Sequence, residues 1–209
     1  RPDWHATEIK ALLINSAKTM QHKDGTPYPE SLAGAGFLDV GKAVKTTATA
    51  IAESNDGLTT LSLGSLALAD LWEETRQIRL TNYGDSSARF ALSIEETVTE
   101  TGFEIELPVK QVTVASGSHE LVPVRFHADP AKFDRTGDPL TPAKLNDRAR
   151  SWLYEVSGKI VLASEAEKLR VPYYAVLRSA ATHKSAVTQV SLPAHDLVTL
   201  ELPIEGESA

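Results

Sequence analysis

A chain of 209 residues with 42% apolar and 23% charged residues has the composition of a folded protein, not of a disordered one. The formal charge of −7 and the lack of any basic stripe argue against phosphate-backbone binding, so no nucleic-acid partner is expected. Zero cysteines exclude disulfides, thiolate metal sites and cysteine nucleophiles. No apolar run reaches the roughly 20 residues of a membrane-spanning helix, so no membrane insertion is expected.

The chain opens on Arg1-Pro2-Asp3-Trp4, with no initiator Met and no charged-then-apolar leader, and it reads as a fragment whose upstream residues were removed or never included. In the first segment, Ile9, Leu12, Leu13, Ser16, Ala17 and Met20 recur at three- and four-residue intervals, which predicts a helix starting near Ala6. Glu8 stands at the acidic position of a capping box whose N-cap would be His5, a poor substitute for Ser or Thr. Gln21 to Ala33 carries Pro, Gly and polar residues and reads as a loop. Gly34-Ala35-Gly36-Phe37-Leu38-Asp39-Val40 then makes a glycine turn into a further helical turn. So short a helical segment cannot bury a core alone. Its face of Ile9, Leu12, Leu13 and Met20 must pack on the rest of the chain or on a second copy.

From about Ile51 the period changes to two. Leu61, Leu63, Leu66 and Leu68 open this part. Ile78 and Leu80, then Phe90, Leu92 and Ile94, alternate with polar or small residues as half-buried strands do. Asn82-Tyr83-Gly84-Asp85-Ser86 between them predicts a turn and hence a hairpin. Further runs are Val112 and Val114; Val122, Val124 and Phe126; Gly158, Ile160 and Leu162; and Leu169, Val171 and Tyr173. About seven short strands predict a β-sandwich, and Pro123 suits an edge strand. Asp129 to Ser151 is a long polar loop with a short helix expected at Pro142 to Arg150. Ser179 to Lys184 reads as a linker, and Val187 to Leu192 and Leu197 to Ile204 as two further strands.

Pro2-Asp3-Trp4, then Glu8-Ile9-Lys10-Ala11-Leu12-Leu13-Ile14-Asn15-Ser16-Ala17, then Gly34-Ala35-Gly36-Phe37-Leu38-Asp39-Val40 with Lys42-Ala43, resembles the C-terminal end of a subtilisin-like (S8 family) serine protease domain. There a helix of the form PxWxPxEIKxALMNTA and a closing GAGxVDVxxA occur in this order. In this chain His5-Ala6 replaces the usual Ser/Thr-Pro. Ile78-Arg79-Leu80-Thr81-Asn82, Tyr154 to Leu162 with Gly158, and Leu169-Arg170-Val171-Pro172-Tyr173 are similar to the fibronectin-type-III-like domain of large extracellular subtilases, the lactocepin and minor extracellular protease type. Val156-Ser157 is inserted before the glycine of that pattern.

The resemblance implies a mainly β chain: a seven-stranded fibronectin-III-like β-sandwich over residues 51–178, preceded by the tail of a subtilase α/β domain over residues 1–45. Residues 179–209 would be a linker and the start of a further β segment. It also implies a secreted or cell-surface location, and a parent serine endopeptidase whose Asp/His/Ser triad lies upstream of Pro2. This chain would lack the triad and be inactive alone. Its partners would be the catalytic domain of the same polypeptide and protein substrate. Phe37 and Leu38 would dock on that domain, or on the sandwich where it is absent.

No catalytic, cofactor-binding or metal-ligating residue is assigned, and no cofactor is expected. Asn15 has the chemistry of an oxyanion donor, yet its helix follows the nucleophile helix, and a capping or surface role is expected. His5, His22, His119, His127, His183 and His195 lack metal-ligand spacing and read as surface residues. Asp129, Asp134 and Asp138 raise a calcium site, but Lys132 and Arg135 lie between them. Trp72, Trp152 and Tyr154 have the side chains of a sugar-stacking platform, with core packing the stronger expectation. An alternative function is accordingly a carbohydrate- or cell-surface-binding module.

Overall fold

In the computed structural model the described residues are 4–53, 58–134, 140, 142, 144–149, 154–181, 184–185 and 204–205. Three short helices come first: α1 (Ala6–Ser16), α2 (Glu30–Ala33) and α3 (Val40–Lys45). Then follow β1 (Ala48–Ala52), β2 (Leu61–Leu68), β3 (Trp72–Asn82), β4 (Ala88–Val98), β5 (Phe103–Glu106), β6 (Gln111–Val114) and β7 (His119–Ala128). After a 3-10 turn at Pro130–Lys132 come β8 (Lys144–Leu145), β9 (Arg148–Ala149), β10 (Tyr154–Ala163), β11 (Lys168–Ser179), β12 (Lys184–Ser185) and β13 (Ile204–Glu205).

The chain is mainly β. A four-stranded sheet runs β1-β3-β7-β5 and a five-stranded sheet runs β2-β11-β10-β4-β6, where the sequence pattern predicts seven strands in all. All pairings in the two sheets are antiparallel except β2 against β11. Alternation explains why they face each other: Ile78, Leu80, Val122, Val124 and Phe126 from the first sheet and Phe90, Leu92, Ile160, Leu162 and Tyr173 from the second all enter one buried cluster. Each such large side chain contributes about 1.5–3 kcal/mol by leaving water.

The expected hairpin between Ile78-Leu80 and Phe90-Ile94 does not form, because β3 and β4 belong to different sheets. Asn82 supplies the reason. Its side-chain amide donates to the carbonyls of Ser86 at 2.8 Å and of Val114 at 3.1 Å, and accepts from the Gly84 N–H at 2.9 Å. Val114 lies in β6, so the buried asparagine ties the end of one sheet to the edge of the other. The turn becomes an arch over the core.

Two prolines sit where pairing stops. β7 lies between β3 and β5 and is not the edge strand expected at Pro123, but β5 pairs it only from Phe103↔Ala128 to Glu106↔Arg125, so that side of the strand is free of a partner strand where the proline stands. Pro172 precedes the first β2 pairing, Tyr173↔Leu61. Gly158 is required where β10 meets β4, because an added Cβ would lie 2.3 Å from the Glu95 carbonyl and 2.5 Å from the Tyr173 hydroxyl. The register with β4 slips at that point, Ser157 facing Val98 and Gly158 facing Glu96.

The helix expected at Pro142 to Arg150 is instead a small ribbon, β8 paired with β9. Asn146 and Asp147 both have positive φ, 51° and 59°, the conformation of a two-residue hairpin turn, which these residue types tolerate. Of the two strands expected near the C-terminus, only Ile204 lies among the described residues, pairing with Ser185.

β10 is buried on both faces. Its inward residues Val156, Ile160 and Leu162 join the core, while Glu155, Ser157, Lys159 and Val161, the outward set, are also shielded from water. What covers that outward face is the helical segment, with α2 against β10 and β11, and α1 against β11 and β1.

Candidate functional site

The seam between the helical segment and the sandwich collects most of the buried polar chemistry. It begins at α1, whose start is held by the Glu8 carboxylate accepting the His5 N–H at 2.8 Å, the acidic half of the predicted capping box. The helix buries Ala11, Leu12, Asn15 and Ser16. Ile9 and Met20, expected on the packed stripe, are instead exposed: the sandwich meets the arc of the helix that carries Ala11, Leu12 and Asn15, and Met20 lies beyond the helix, which ends at Ser16.

Asn15 is the centre of this contact and corrects the expectation of a capping or surface role. It is fully buried. Its Nδ2 donates to the Ala50 carbonyl at 3.0 Å and to the Arg170 carbonyl at 2.9 Å, while its Oδ1 accepts the Ala50 N–H at 2.8 Å. The amide thus pairs with Ala50 as a neighbouring strand would, completing the free edge of β1. Arg170 stands in the part of β11 that β2 does not reach. One side chain therefore closes the corner where the two sheets end, and none of its polar atoms is left for an oxyanion.

Beyond α1 the chain makes a closed loop. The Lys18 and Phe37 backbones exchange hydrogen bonds at 2.8 Å each way. Gly36, at φ 114°, is needed there because a Cβ would lie 2.1 Å from the Lys18 carbonyl. From this loop α2 projects two consecutive side chains onto β10. Glu30 Oε1 meets Lys159 Nζ at 2.5 Å, with side-chain exposures of 3% and 4%. Thr97 donates to the same Glu30 oxygen at 3.4 Å. Ser31 donates to Glu155 Oε1 at 3.0 Å, and Tyr174 donates to Glu155 Oε2 at 2.9 Å. Burial and this bond push the Tyr174 phenol up to about 12. Among the described residues, Glu30 Oε2 and Ser157 Oγ are buried with no hydrogen-bond partner.

The third attachment is α3. Asp39 caps it, accepting from the Lys42 N–H at 2.9 Å and pairing with Lys18 at 2.9 Å. The Lys18 bond, then the Lys42 N–H, hold the Asp39 carboxyl below its usual range. Lys42 Nζ donates to the Lys168 carbonyl at 3.2 Å; burial, and then nearby Arg170, lower its pKa. Next to it Glu95 accepts from Lys168 and Arg170. Burial works to raise the Glu95 pKa, and these two cations more than offset it, so the group sits below its ordinary value. Glu167 receives the Thr47 N–H and hydroxyl, each at 3.0 Å. Trp4 packs against Tyr83 with centroids 4.3 Å apart and the rings tilted by 40°.

The other sequence candidates lie elsewhere. Trp72 and Tyr154 are partly buried against the core, the packing role expected of them, and Trp152 is outside the described residues. Asp129 caps the 3-10 turn and pairs with Lys132 at 2.9 Å, and Asp134 accepts from Thr101; Asp138 is outside the described residues. His5, His22 and His119 are exposed, whereas His127 is half-buried with Glu73 at 3.2 Å; His183 and His195 are outside the described residues. Phe37 and Leu38 do not dock on the sandwich: they stay exposed, because backbone bonds hold their loop in place without burying them.

Glu30, Lys159 and Glu155 were invisible to sequence reasoning. In Tyr154 to Ala163 strict alternation assigns Glu155, Ser157 and Lys159 to a solvent face. Nothing local tells that residues more than 120 positions earlier cover it.

No family model matches the chain. Against proteins of known sequence it is 29% identical over 102 residues to the minor extracellular protease Vpr of Bacillus subtilis, a match covering 49% of this chain and 12% of that protein. Among solved structures, a FixG-related protein from Vibrio parahaemolyticus aligns with TM-score 0.38 and 12% identity over 63% of this chain and 97% of its own. The secreted serine protease VesC from Vibrio cholerae aligns with TM-score 0.35 and 10% identity over 61% and 22%. The Vibrio cholerae VesB protease gives 0.36 and 9% over 64% and 32%. The chain is weakly homologous to a bacillary extracellular protease and corresponds to a small part of it.

Proposed function

We propose that this chain is the non-catalytic C-terminal accessory region of a secreted subtilisin-like serine endopeptidase, where it braces the catalytic domain or positions protein substrate. In this reading residues 1–45 are the last piece of the catalytic domain, and the sandwich is the fibronectin-III-like domain behind it. One observation carries the proposal. The stretch from Ile9 to Val44 is fastened to the sandwich on one side and elsewhere exposes Ile9, Met20, Leu32, Phe37, Leu38, Val40 and Val44, with Val44 70% and Phe37 66% accessible. No other stretch of the described chain concentrates large exposed apolar side chains in this way, and such a concentration marks a surface that another body covers. The ordered subtilase-like motifs of the same stretch and the similarity to a bacillary extracellular protease support the identity of that body.

The test is reconstitution. The pure 209-residue chain is expected not to cleave casein, and serine-inhibitor-sensitive hydrolysis by it would refute the proposal. Added to a subtilase catalytic domain lacking its own C-terminal region, the chain should raise that domain's thermal midpoint. Identical melting with and without the chain would argue against a brace.

A further inference from the structure

We infer that the buried Glu30–Lys159 pair is a register latch: it fixes where the helical segment sits on the outward face of the five-stranded sheet. This does not depend on what covers the apolar side of that segment. The contact layer beneath α2 is polar. On β10 it presents Glu155, Ser157 and Lys159, all buried, and from α2 it receives Glu30 and Ser31. Apolar contact is non-directional and tolerates sliding, whereas a fully buried ion pair does not. Moving α2 by one residue along β10 would bury Glu30 and Lys159 unpaired, which is far costlier than the pair itself is stabilising.

The geometry adds a second constraint. Adjacent residues Glu30 and Ser31 grip Lys159 and Glu155, four positions and about 13 Å apart on one face of the strand. A four-residue helix held at two such points has one position. Thr97 donates to Glu30 from β4, and Tyr174 donates to Glu155 from β11, so three strands read the placement of α2.

The absence of cysteine allows spin-label pairs to be placed freely, for example at Leu32→Cys on α2 and Gln77→Cys on β3, both exposed positions. Distances are measured by pulsed electron resonance on the full chain. The native pair should give a narrow distribution. Glu30→Leu with Lys159→Met should leave the thermal midpoint of the sandwich unchanged and broaden the distribution at least twofold. The swap Glu30→Lys with Lys159→Glu should return it to within the native width. Lys159→Met alone should cut hydrogen-exchange protection of the Leu32, Ala33 and Gly34 amides of α2 at least tenfold while Ile78 and Val124 keep theirs. A narrow distribution in the apolar double variant, or unchanged protection in Lys159→Met, would overturn the latch.

Discussion

The sandwich and the helical segment are built on opposite logic. The sandwich encloses an apolar core to which both sheets contribute, including Phe90, Phe126, Ile160 and Tyr173. The helical segment has no such interior. It is attached through Asn15, Glu30, Ser31, Lys42 and Thr47, each bonded to the sandwich through a polar atom, and it leaves much of its apolar surface outside. Hydrophobic burial therefore makes the first region stable in its own right, and directional bonds make the second a fixture upon it.

The largest expected effect tests whether the dependence runs one way. Phe126→Ala should lower global stability by about 3–5 kcal/mol by opening a cavity in the core. The helical segment should lose its hydrogen-exchange protection in the same transition. Protection of α1 surviving after the sheets have unfolded would show that the segment has a core of its own.

Asn15→Ala should act on the joint alone. It strands the Ala50 N–H and two carbonyls, and should weaken the attachment of α1 by about 2–4 kcal/mol, while exchange in β3 and β7 stays near native. Equal loosening of both regions would mean that closing the corner of the sandwich also holds the sheets together.

Acid sharpens the same contrast. Asp39 and Glu95 both lie below their ordinary values of 3.8 and 4.5. Carboxylates so depressed stabilise fully above the unfolded pKa, and that contribution fades as pH falls through the folded one. The α3 cap and the Glu95 ion pairs should thus be constant above about pH 5 and weaken progressively below pH 4. Asp39→Asn should flatten part of this dependence, read as exchange in Val40–Lys45 against pH.

The smallest effect on the chain itself belongs to the exposed apolar residues. Phe37→Ser and Val44→Ser should change the thermal midpoint by no more than the equivalent of about 0.5 kcal/mol. Both should nevertheless abolish the stabilisation of an added catalytic domain. Unaltered stabilisation by the double variant would place the docking surface elsewhere.

Much of this molecule was legible in the residues. Periodicity located α1, and alternation located the core residues of β3, β4, β7, β10 and β11, because burial of one face leaves a local signature whatever the partner. Glycine and proline marked the turn at Gly36 and the partner-free strand side at Pro123 for equally local steric reasons. Sheet membership was not local. Asn82 reads as turn chemistry, and only its bond to Val114 converts the expected hairpin into an arch. Asn146-Asp147 falls inside the predicted helix because composition alone does not reveal two consecutive positive φ angles.

The seam was the least readable part. Asn15 looks like an ordinary polar residue on a helix, and Lys159 like an outward residue of a strand. Their roles depend on Ala50, Arg170 and Glu30, which lie 35, 155 and 129 positions away along the chain. Within the sandwich, the side chains that must leave water are marked by each residue and its near neighbours, as in the alternation of Ile78, Leu80, Phe90 and Leu92. Which polar groups follow them in depends on the assembled fold, because a buried amide or charge is tolerated only where a distant partner arrives to meet it.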